Sequence, residues 1–226
     1  MIIQTLSDTH NKHKLLEPNL QDCDLIIHGG DFCGRGRKSE ALDFLQWYAD
    51  LPYKHKVLIP GNHDIWVERE GAEEALTFCK DNGIHFLVDS FVNIDGLKIH
   101  GSPVTLRFGH GWAWNRDKSP AKAEERNERG VLGAKYIADH WDLIPDDADI
   151  VVCHQPCQGI LDFPRDGAFS IHSIGCPLLR DKINEVKPRL FVCGHIHESG
   201  GQQIKLGDTT YANTATNVML FDWDKL

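Results

Sequence analysis

Five short motifs rich in aspartate, asparagine and histidine each follow an apolar run in this sequence. They are Asp8-Thr9-His10, Gly30-Asp31, Gly61-Asn62-His63-Asp64, His154 and Gly194-His195-Ile196-His197. Their carboxylate, amide and imidazole groups suit borderline first-row ions such as Mn, Fe, Co or Zn better than Ca or Mg alone. Two divalent ions about 3.5–4 Å apart, bridged by one carboxylate, can activate water against a phosphoester. The motifs therefore predict a two-metal site for phosphoester chemistry.

The placement of the motifs predicts that they share one site. In open α/β sheets, sites lie beyond the carboxyl ends of the strands, and every motif follows its apolar run on that side. Asp8 and His10 are two residues apart, so in an extended chain their side chains point the same way, and His195 and His197 have the same spacing. Glycines precede three of the motif residues and are expected to let the backbone turn sharply towards the ions.

Apolar runs and turn signals predict alternating strands and helices. One helix is expected to begin at about Ser39, as its N-cap, a second to span Ala72–Lys80, and a third to lie within Arg116–Arg129. The predicted strands are Ile2–Leu6, Leu25–His28, Val57–Ile59, Phe86–Val88, Val92–Ile94, Leu97–His100, Ile150–Cys153, Leu190–Cys193, Gln202–Leu206, Thr209–Asn213 and Val218–Phe221. The last three are expected to pair antiparallel. The pattern predicts an α/β fold of two mixed β-sheets packed face to face and flanked by helices.

Length and composition favour one domain over residues 1–226. The apolar fraction of 41% is ordinary for a soluble globular protein, and no apolar run approaches the length of a membrane span. Seven cysteines without a CxxC pair, and no basic leader, predict reduced thiols and a cytoplasmic location. The net charge of −9 disfavours a nucleic-acid partner, although bound divalent ions would offset part of it. The oligomeric state is left open.

Taken in order, the motifs resemble the blocks of the calcineurin-like metallophosphoesterase superfamily, DxH, GDxxxRG, GNH(D/E), a lone His and GHxH. The chain is most similar to the small metallophosphoesterase-domain-containing phosphodiesterases. The shared segments are Leu6-Ser7-Asp8-Thr9-His10, Leu51-Pro52-Tyr53, Gly111-Trp112-Ala113-Trp114-Asn115, Trp141-Asp142-Leu143-Ile144-Pro145 and Ile196-His197-Glu198. This resemblance implies the metallophosphoesterase α/β sandwich, and phosphoester hydrolysis by a metal-activated water.

The resemblance also implies a ligand set for two divalent transition-metal ions, with Mn favoured and Fe, Co, Ni or Zn as alternatives. One ion would be held by Asp8, His10, Asp31 and His197. Asp31 would bridge to a second ion, held also by Asn62, His154 and His195. Since some close relatives lose one histidine of the GHxH block, the presence of His195 predicts a complete binuclear centre.

The implied catalytic set is His63, Asn62, Asp64 and Arg35. His63 would lie near the leaving-group oxygen, and Asp64 would help to hold its imidazole. Arg35 would clamp a phosphate oxygen. Many relatives have an aspartate that supports this histidine where Gly34 stands here, so the support for His63 must come from elsewhere. The usual His-Gly-Pro-Pro block reads His154-Gln155-Pro156-Cys157, which would alter the wall near the second ion.

The leading functional hypothesis is a phosphodiesterase acting on single-stranded nucleic acid, as a Mn-dependent DNA or RNA nuclease, or on a cyclic nucleotide. The alternatives are a phosphomonoesterase for phosphoproteins or nucleotides, and a metal-stabilised scaffold without turnover. No membrane partner is expected. The segment Arg107–Arg116 mixes cations with aromatic rings, so it would either stack bases or pack a loop between the sheets. Lys122–Arg129 is interpreted as a solvated helix face.

Overall fold

Strands and helices alternate through most of the chain. The computed structural model describes residues 1–131, 135–163 and 173–226. The strands, in chain order, are β1 (Ile2–Leu6), β2 (Leu25–Gly29), β3 (His55–Ile59), β4 (Ile84–Phe86), β5 (Ser90–Ile94), β6 (Leu97–Ser102), β7 (Thr105–Leu106), β8 (Asn115–Arg116), β9 (Ile150–Cys153), β10 (Leu190–Cys193), β11 (Gln202–Leu206), β12 (Thr209–Asn213) and β13 (Val218–Asp222). The helices are α1 (His13–Leu16), α2 (Lys38–Asp50), α3 (Ala72–Asp81), α4 (Pro120–Glu128), α5 (Ala138–Trp141) and α6 (Pro177–Val186). None of these helices is long and apolar enough to cross a membrane.

The strands form two large mixed sheets, which confirms the predicted fold class. The first sheet has the order β13-β1-β2-β3-β4, and the second has the order β11-β12-β10-β9-β6-β5. In the first sheet β1 to β4 run parallel and β13 runs antiparallel to β1. In the second, β6, β9, β10 and β12 run parallel, with β5 and β11 antiparallel at the edges. The parallel strands of each sheet therefore end together, at the edge where the motifs follow.

Buried side chains fill three apolar layers. Between the sheets, Ile27 and Ile59 of the first sheet pack with Val152 and Val192 of the second. The outer face of the first sheet is covered by α2 and α3, and that of the second by α5 and α6. Successive residues of a strand point to opposite faces, and the central strands are buried on both, so runs such as Ile150–Cys153 are apolar throughout.

Three local predictions are corrected. Helix α2 begins at Lys38, so Ser39 lies inside its first turn and is not the N-cap. Strand β4 ends at Phe86, where the predicted strand began. The last strand does not pair with β12 but crosses to the first sheet and pairs with β1. Strand pairing of this kind depends on contacts between distant parts of the chain, which local patterns do not encode.

Candidate metal centre

The sequence motifs converge in the loops that follow β1, β2, β3, β9 and β10. These strands belong to both sheets, so the site lies where the two sheets end. Their donor atoms form three overlapping groups, within each of which all atoms lie within 4.8 Å of one another. The groups are Asp8, His10 and His197; His10, Asp31 and His63; and Asp31, His154 and His195. Asn62 joins them, since its Oδ1 lies 3.1 Å from His154 Nε2.

In the first group, two imidazole nitrogens and a carboxylate oxygen face one another. His197 Nε2 lies 3.1 Å from Asp8 Oδ1 and 3.0 Å from His10 Nε2. The other ring nitrogen of His10, Nδ1, lies 3.2 Å from the carbonyl oxygen of Cys33, to which it donates. That bond leaves the Nε2 lone pair of His10 pointing into the group. A cation between these three atoms would satisfy them together.

In the third group, too, an imidazole nitrogen faces a carboxylate oxygen. His154 Nδ1 donates to the carbonyl oxygen of Gly29 at 2.9 Å, so Nε2 faces Asp31 Oδ2 at 3.3 Å and Asn62 Oδ1 at 3.1 Å. Burial is the largest single effect and lowers the pKa of His154, but the charge of Asp31, the hydrogen bond to it, the charge of Asp8 and the Gly29 carbonyl together raise that pKa to about 10. A proton and a metal ion therefore compete for the same lone pair. Asp31 belongs to the second and third groups, which is the placement a bridging carboxylate needs.

The backbone of the first motif corrects the expectation of an extended chain. Asp8 (φ 54°) and His10 (φ 43°) are both left-handed, as are Asp31 (φ 58°) and His195 (φ 69°). Such conformations cost non-glycine residues about 1 kcal/mol or more each. The Asp8 and His10 side chains approach each other because the chain turns sharply at each of these residues, and not because alternate residues of a strand share a face.

Two motif glycines allow close approach rather than an unusual turn. A Cβ atom on Gly61 would collide with Asp31 Oδ1, and one on Gly194 would collide with Asp8 Oδ2. Neither glycine has a positive φ, in contrast to Gly30 at φ 98°. The missing side chains therefore leave room for the carboxylates of Asp31 and Asp8.

Asp64 does not hold the His63 imidazole, which corrects the prediction for that residue. The fully buried Asp64 carboxylate accepts the backbone N–H groups of Asp31 at 3.0 Å, Cys33 at 2.8 Å and Gly61 at 2.7 Å. It therefore joins the loop after β2 to the loop after β3. The His63 Nδ1 atom donates instead to the carbonyl oxygen of Gly34 at 2.9 Å.

His28 supports the site from within β2. Its Nδ1 accepts the backbone N–H of Gly30 at 3.2 Å, so its Nε2 is the protonated nitrogen that donates to Thr9 Oγ1, also at 3.2 Å. Burial lowers the pKa of His28 to about 3, and the ring is therefore neutral. His28 thus ties the first motif to the loop that carries Asp31. Its position on a strand that ends in a motif was the only sequence signal for this role.

The chain was compared with known proteins. A family model described as calcineurin-like phosphoesterase matches residues 3–199. The chain belongs to this family. The human metallophosphoesterase domain-containing protein 1 is 31% identical over an alignment of 237 positions, which covers 93% of this chain and 64% of that protein. The chain thus spans about 64% of the length of that relative. A UPF0046 protein of Caenorhabditis elegans is 30% identical, over 93% of this chain and 73% of its own length.

Solved structures share the fold. The phosphopantetheinyl hydrolase of Mycobacterium tuberculosis superposes with a TM-score of 0.61 at 16% identity, over 95% of this chain and 89% of that one. The Thermus thermophilus protein TT1561 superposes with a TM-score of 0.55 at 16% identity, over 93% of this chain and 87% of that one. The family implies a binuclear divalent metal centre, and the converging donors of this metallophosphoesterase fit one.

The aromatic rings of the segment Arg107–Arg116 lie in two different environments, neither of them between the sheets, and base stacking by this segment stays a prediction. The Trp112 ring lies 4.5 Å from the His63 ring, and the Phe108 ring lies 5.1 Å from the His195 ring, measured between centroids. Trp114 instead is buried in the layer outside the first sheet. Arg35 is exposed on the loop after Asp31, and its role on the phosphate stays a prediction.

Proposed function

We propose that this metallophosphoesterase hydrolyses phosphodiester bonds, with single-stranded nucleic acid or a cyclic nucleotide as substrate. The observation that carries this proposal is an aromatic wall beside the site, in which Trp112 lies against His63 and Phe108 against His195, with the centroids of the two rings 6.0 Å apart. A diester has two organic substituents on phosphorus, whereas a monoester has one. Two adjacent rings form one extended surface on which these substituents, or a base attached to one of them, can stack.

His63 is the residue best placed to assist the leaving group. Its ring is fixed by the Gly34 carbonyl through Nδ1, and it lies 4.4 Å from the His10 ring, so Nε2 is left free beside the ligands. In the proposed reaction, water adds to phosphorus and the ester P–O bond breaks. In its imidazolium form, His63 gives its Nε2 proton to the departing oxygen, which leaves as an alcohol. The attacking water gives up one proton, which restores the imidazolium, and the other product is a phosphomonoester.

The ligand residues would hold two divalent transition-metal ions, with Mn favoured. When bound, these ions supply a nucleophilic water at neutral pH and neutralise charge on the phosphate. Asp8, His10 and His197 would position one ion, Asn62, His154 and His195 the other, and Asp31 both. Arg35 would neutralise a further phosphate oxygen. We place the reaction in the cytoplasm.

The test compares bis-p-nitrophenyl phosphate with p-nitrophenyl phosphate on metal-stripped protein, with Mn, Co, Ni, Zn or Mg returned singly. We expect the diester to be hydrolysed at least about tenfold faster than the monoester, and Asp31→Ala to abolish turnover. Asp208→Ala, which removes an exposed turn carboxylate, is the matched control and should retain full activity. Preference for the monoester would support a phosphomonoesterase instead. Bound ions without turnover on either substrate would support a scaffold.

A further inference from the structure

A cavity beside His195 has four lysine or arginine residues in its wall and one carboxylate, although the whole chain carries a net charge of −9. The cavity has a volume of about 640 Å³, and Arg107, Lys118, Lys122 and Arg126 line it together with Phe108 and His195. Lys122 and Arg126 are four residues apart on α4 and therefore share one face of that helix. The four cations face one lining carboxylate, that of Asp117. We call this space the α4 cavity.

The two arginines of the α4 cavity are held by that carboxylate. Asp117 is 2% exposed, and its two oxygens lie 2.8 Å from Arg126 Nε and 3.1 Å from Arg107 Nε. Lys118 and Lys122 are exposed, and within the described residues neither forms a salt bridge. Like charges concentrated in one cleft raise the local concentration of anions. This arrangement favours an anionic ligand over a purely solvated helix face.

The α4 cavity is continuous with the candidate metal centre through shared residues. His195, a candidate ligand, forms part of the cavity wall, and Phe108 contacts both. A second cavity of about 340 Å³ shares Arg107 and Arg126 with the first and adds Arg69, Arg129, Trp112 and the carboxylate of Glu68. Cations therefore line both cavities, and the adjacent rings of Phe108 and Trp112 lie beside His195 and His63. Cations next to an aromatic surface match the way single strands are bound, by stacked bases and a neutralised backbone.

We propose that the α4 cavity binds a second phosphate of a linear single-stranded nucleic acid, next to the phosphate that is cleaved. This inference rests on the proposed phosphodiesterase function and narrows its substrate. A cyclic nucleotide has a single phosphate, so it would leave the cations of the cavity unused. A linear strand places another phosphate on each side of the scissile one, and Lys118 and Lys122 are the cations available to contact it.

The experiment uses thymidine oligonucleotides and the full chain loaded with Mn. The dinucleotide TpT has one phosphate and the trinucleotide TpTpT has two, and thymine is the base throughout. We expect kcat/KM for TpTpT to exceed that for TpT by about tenfold, the effect of a charge-assisted contact. The double variant Lys118→Ala/Lys122→Ala should reduce this ratio to about one, and it should flatten the dependence of TpTpT hydrolysis on salt concentration.

The matched control is Lys80→Ala/Lys205→Ala, which removes the same charge from exposed positions on α3 and β11 and should keep the wild-type ratio. A wild-type ratio near one would overturn the inference, as would a ratio that the α4 double variant leaves unchanged. A 5′-phosphate on TpT, compared with a 3′-phosphate, tells which neighbour occupies the cavity. Failure of the proposed function would look different, since wild-type protein would then leave TpT and bis-p-nitrophenyl phosphate intact.

Discussion

His63 donates its Nδ1 proton to the backbone carbonyl oxygen of Gly34, 2.9 Å away. The motif resemblance implies an aspartate at position 34 that would support this histidine, and this chain has a glycine there. Here the support comes from the main chain of the same residue, so it fixes the ring without placing a charge beside it. The imidazole therefore keeps its orientation and presents Nε2 to the site.

Replacing His63 with alanine should lower kcat for a phosphodiester by about 10²–10⁴-fold, because the leaving oxygen loses its proton donor. The metal content should not change, since the predicted ligands remain. The measurement combines steady-state kinetics with elemental analysis of the same preparation. If His63→Ala lost an ion along with activity, His63 would be a ligand and not a proton donor.

Replacing Asp64 with asparagine should lower both the stability of the protein and its affinity for metal. The three backbone N–H groups that its carboxylate accepts would lose part of their partner, at a cost of roughly 1–3 kcal/mol in the free energy of unfolding. Because the loops of Asp31 and Asn62 are joined through Asp64, metal affinity should fall as well. Chemical denaturation and metal titration would show both losses. Unchanged metal affinity would contradict the role of Asp64 as a link between these loops.

Replacing Gly194 with alanine should displace Asp8, whose carboxylate occupies the space of the added methyl group. We expect about one bound ion per chain where the wild-type protein binds about two. Gly207→Ala is the control: its Cβ meets nothing within 4 Å, while φ 61° makes the substitution mildly strained. That control should lose some stability and no metal. Full metal content in Gly194→Ala would show that the carboxylate adapts.

Replacing the two tryptophans of the aromatic segment should affect different properties, KM for Trp112 and stability for Trp114. Trp112→Ala should raise KM for a nucleotide diester by about fivefold or more, with little change in stability, because a stacking surface is lost. Trp114→Ala should cost about 3–5 kcal/mol of unfolding free energy, because a buried ring is removed from a packed layer. Kinetics and denaturation of both variants provide the comparison. Equal KM values for wild type and Trp112→Ala would show that Trp112 does not contact the substrate.

Acid should destabilise the protein partly through His100, which is fully buried on β6. Burial lowers the pKa of His100 to about 4 from an ordinary value of 6.5. Between these values the unfolded chain binds a proton that the folded chain excludes, so stability is lost as the pH falls. His100 therefore contributes roughly 1.4 kcal/mol per pH unit to the slope of the unfolding free energy against pH.

The variant His100→Leu should remove that part of the slope, measured by urea unfolding of metal-stripped protein between pH 6.5 and 4. His110→Leu, at an exposed loop position, is the control and should follow the wild-type curve. Parallel curves for wild type and His100→Leu would mean that His100 can be protonated in the folded state.

The sequence predicted the two-sheet α/β fold, and the motif residues that it singled out come together at one edge of the sheets. The apolar runs marked the central strands because those strands are buried on both faces, and each motif stands at the end of such a run. The crossing of β13 to β1 was not predictable in this way, since a short apolar strand can pair with many partners. The role of Asp64 was also missed, because its neighbour in sequence, His63, is not its partner in space.

The basic face of α4 could not be predicted from the composition of the helix. Lys122–Arg129 contains as many acidic as basic residues, so the run reads as a neutral, solvated helix. The structure sorts these charges by direction: Lys122 and Arg126 line the α4 cavity, where no glutamate of the helix appears among the lining residues of the described chain. Helical periodicity gives the angle between two residues, but not which neighbour the helix will face.

Asp8 and His197, which meet at 3.1 Å, are 189 positions apart in the chain. Strand β1, which precedes Asp8, also pairs with β13, whose residues come later still. During synthesis, the first ligand of the centre therefore exists long before its partners. Contacts of such long sequence separation form late and slowly in folding. We expect metal uptake to mark the end of folding in this protein, so that bound metal reports on chains that have already assembled both sheets.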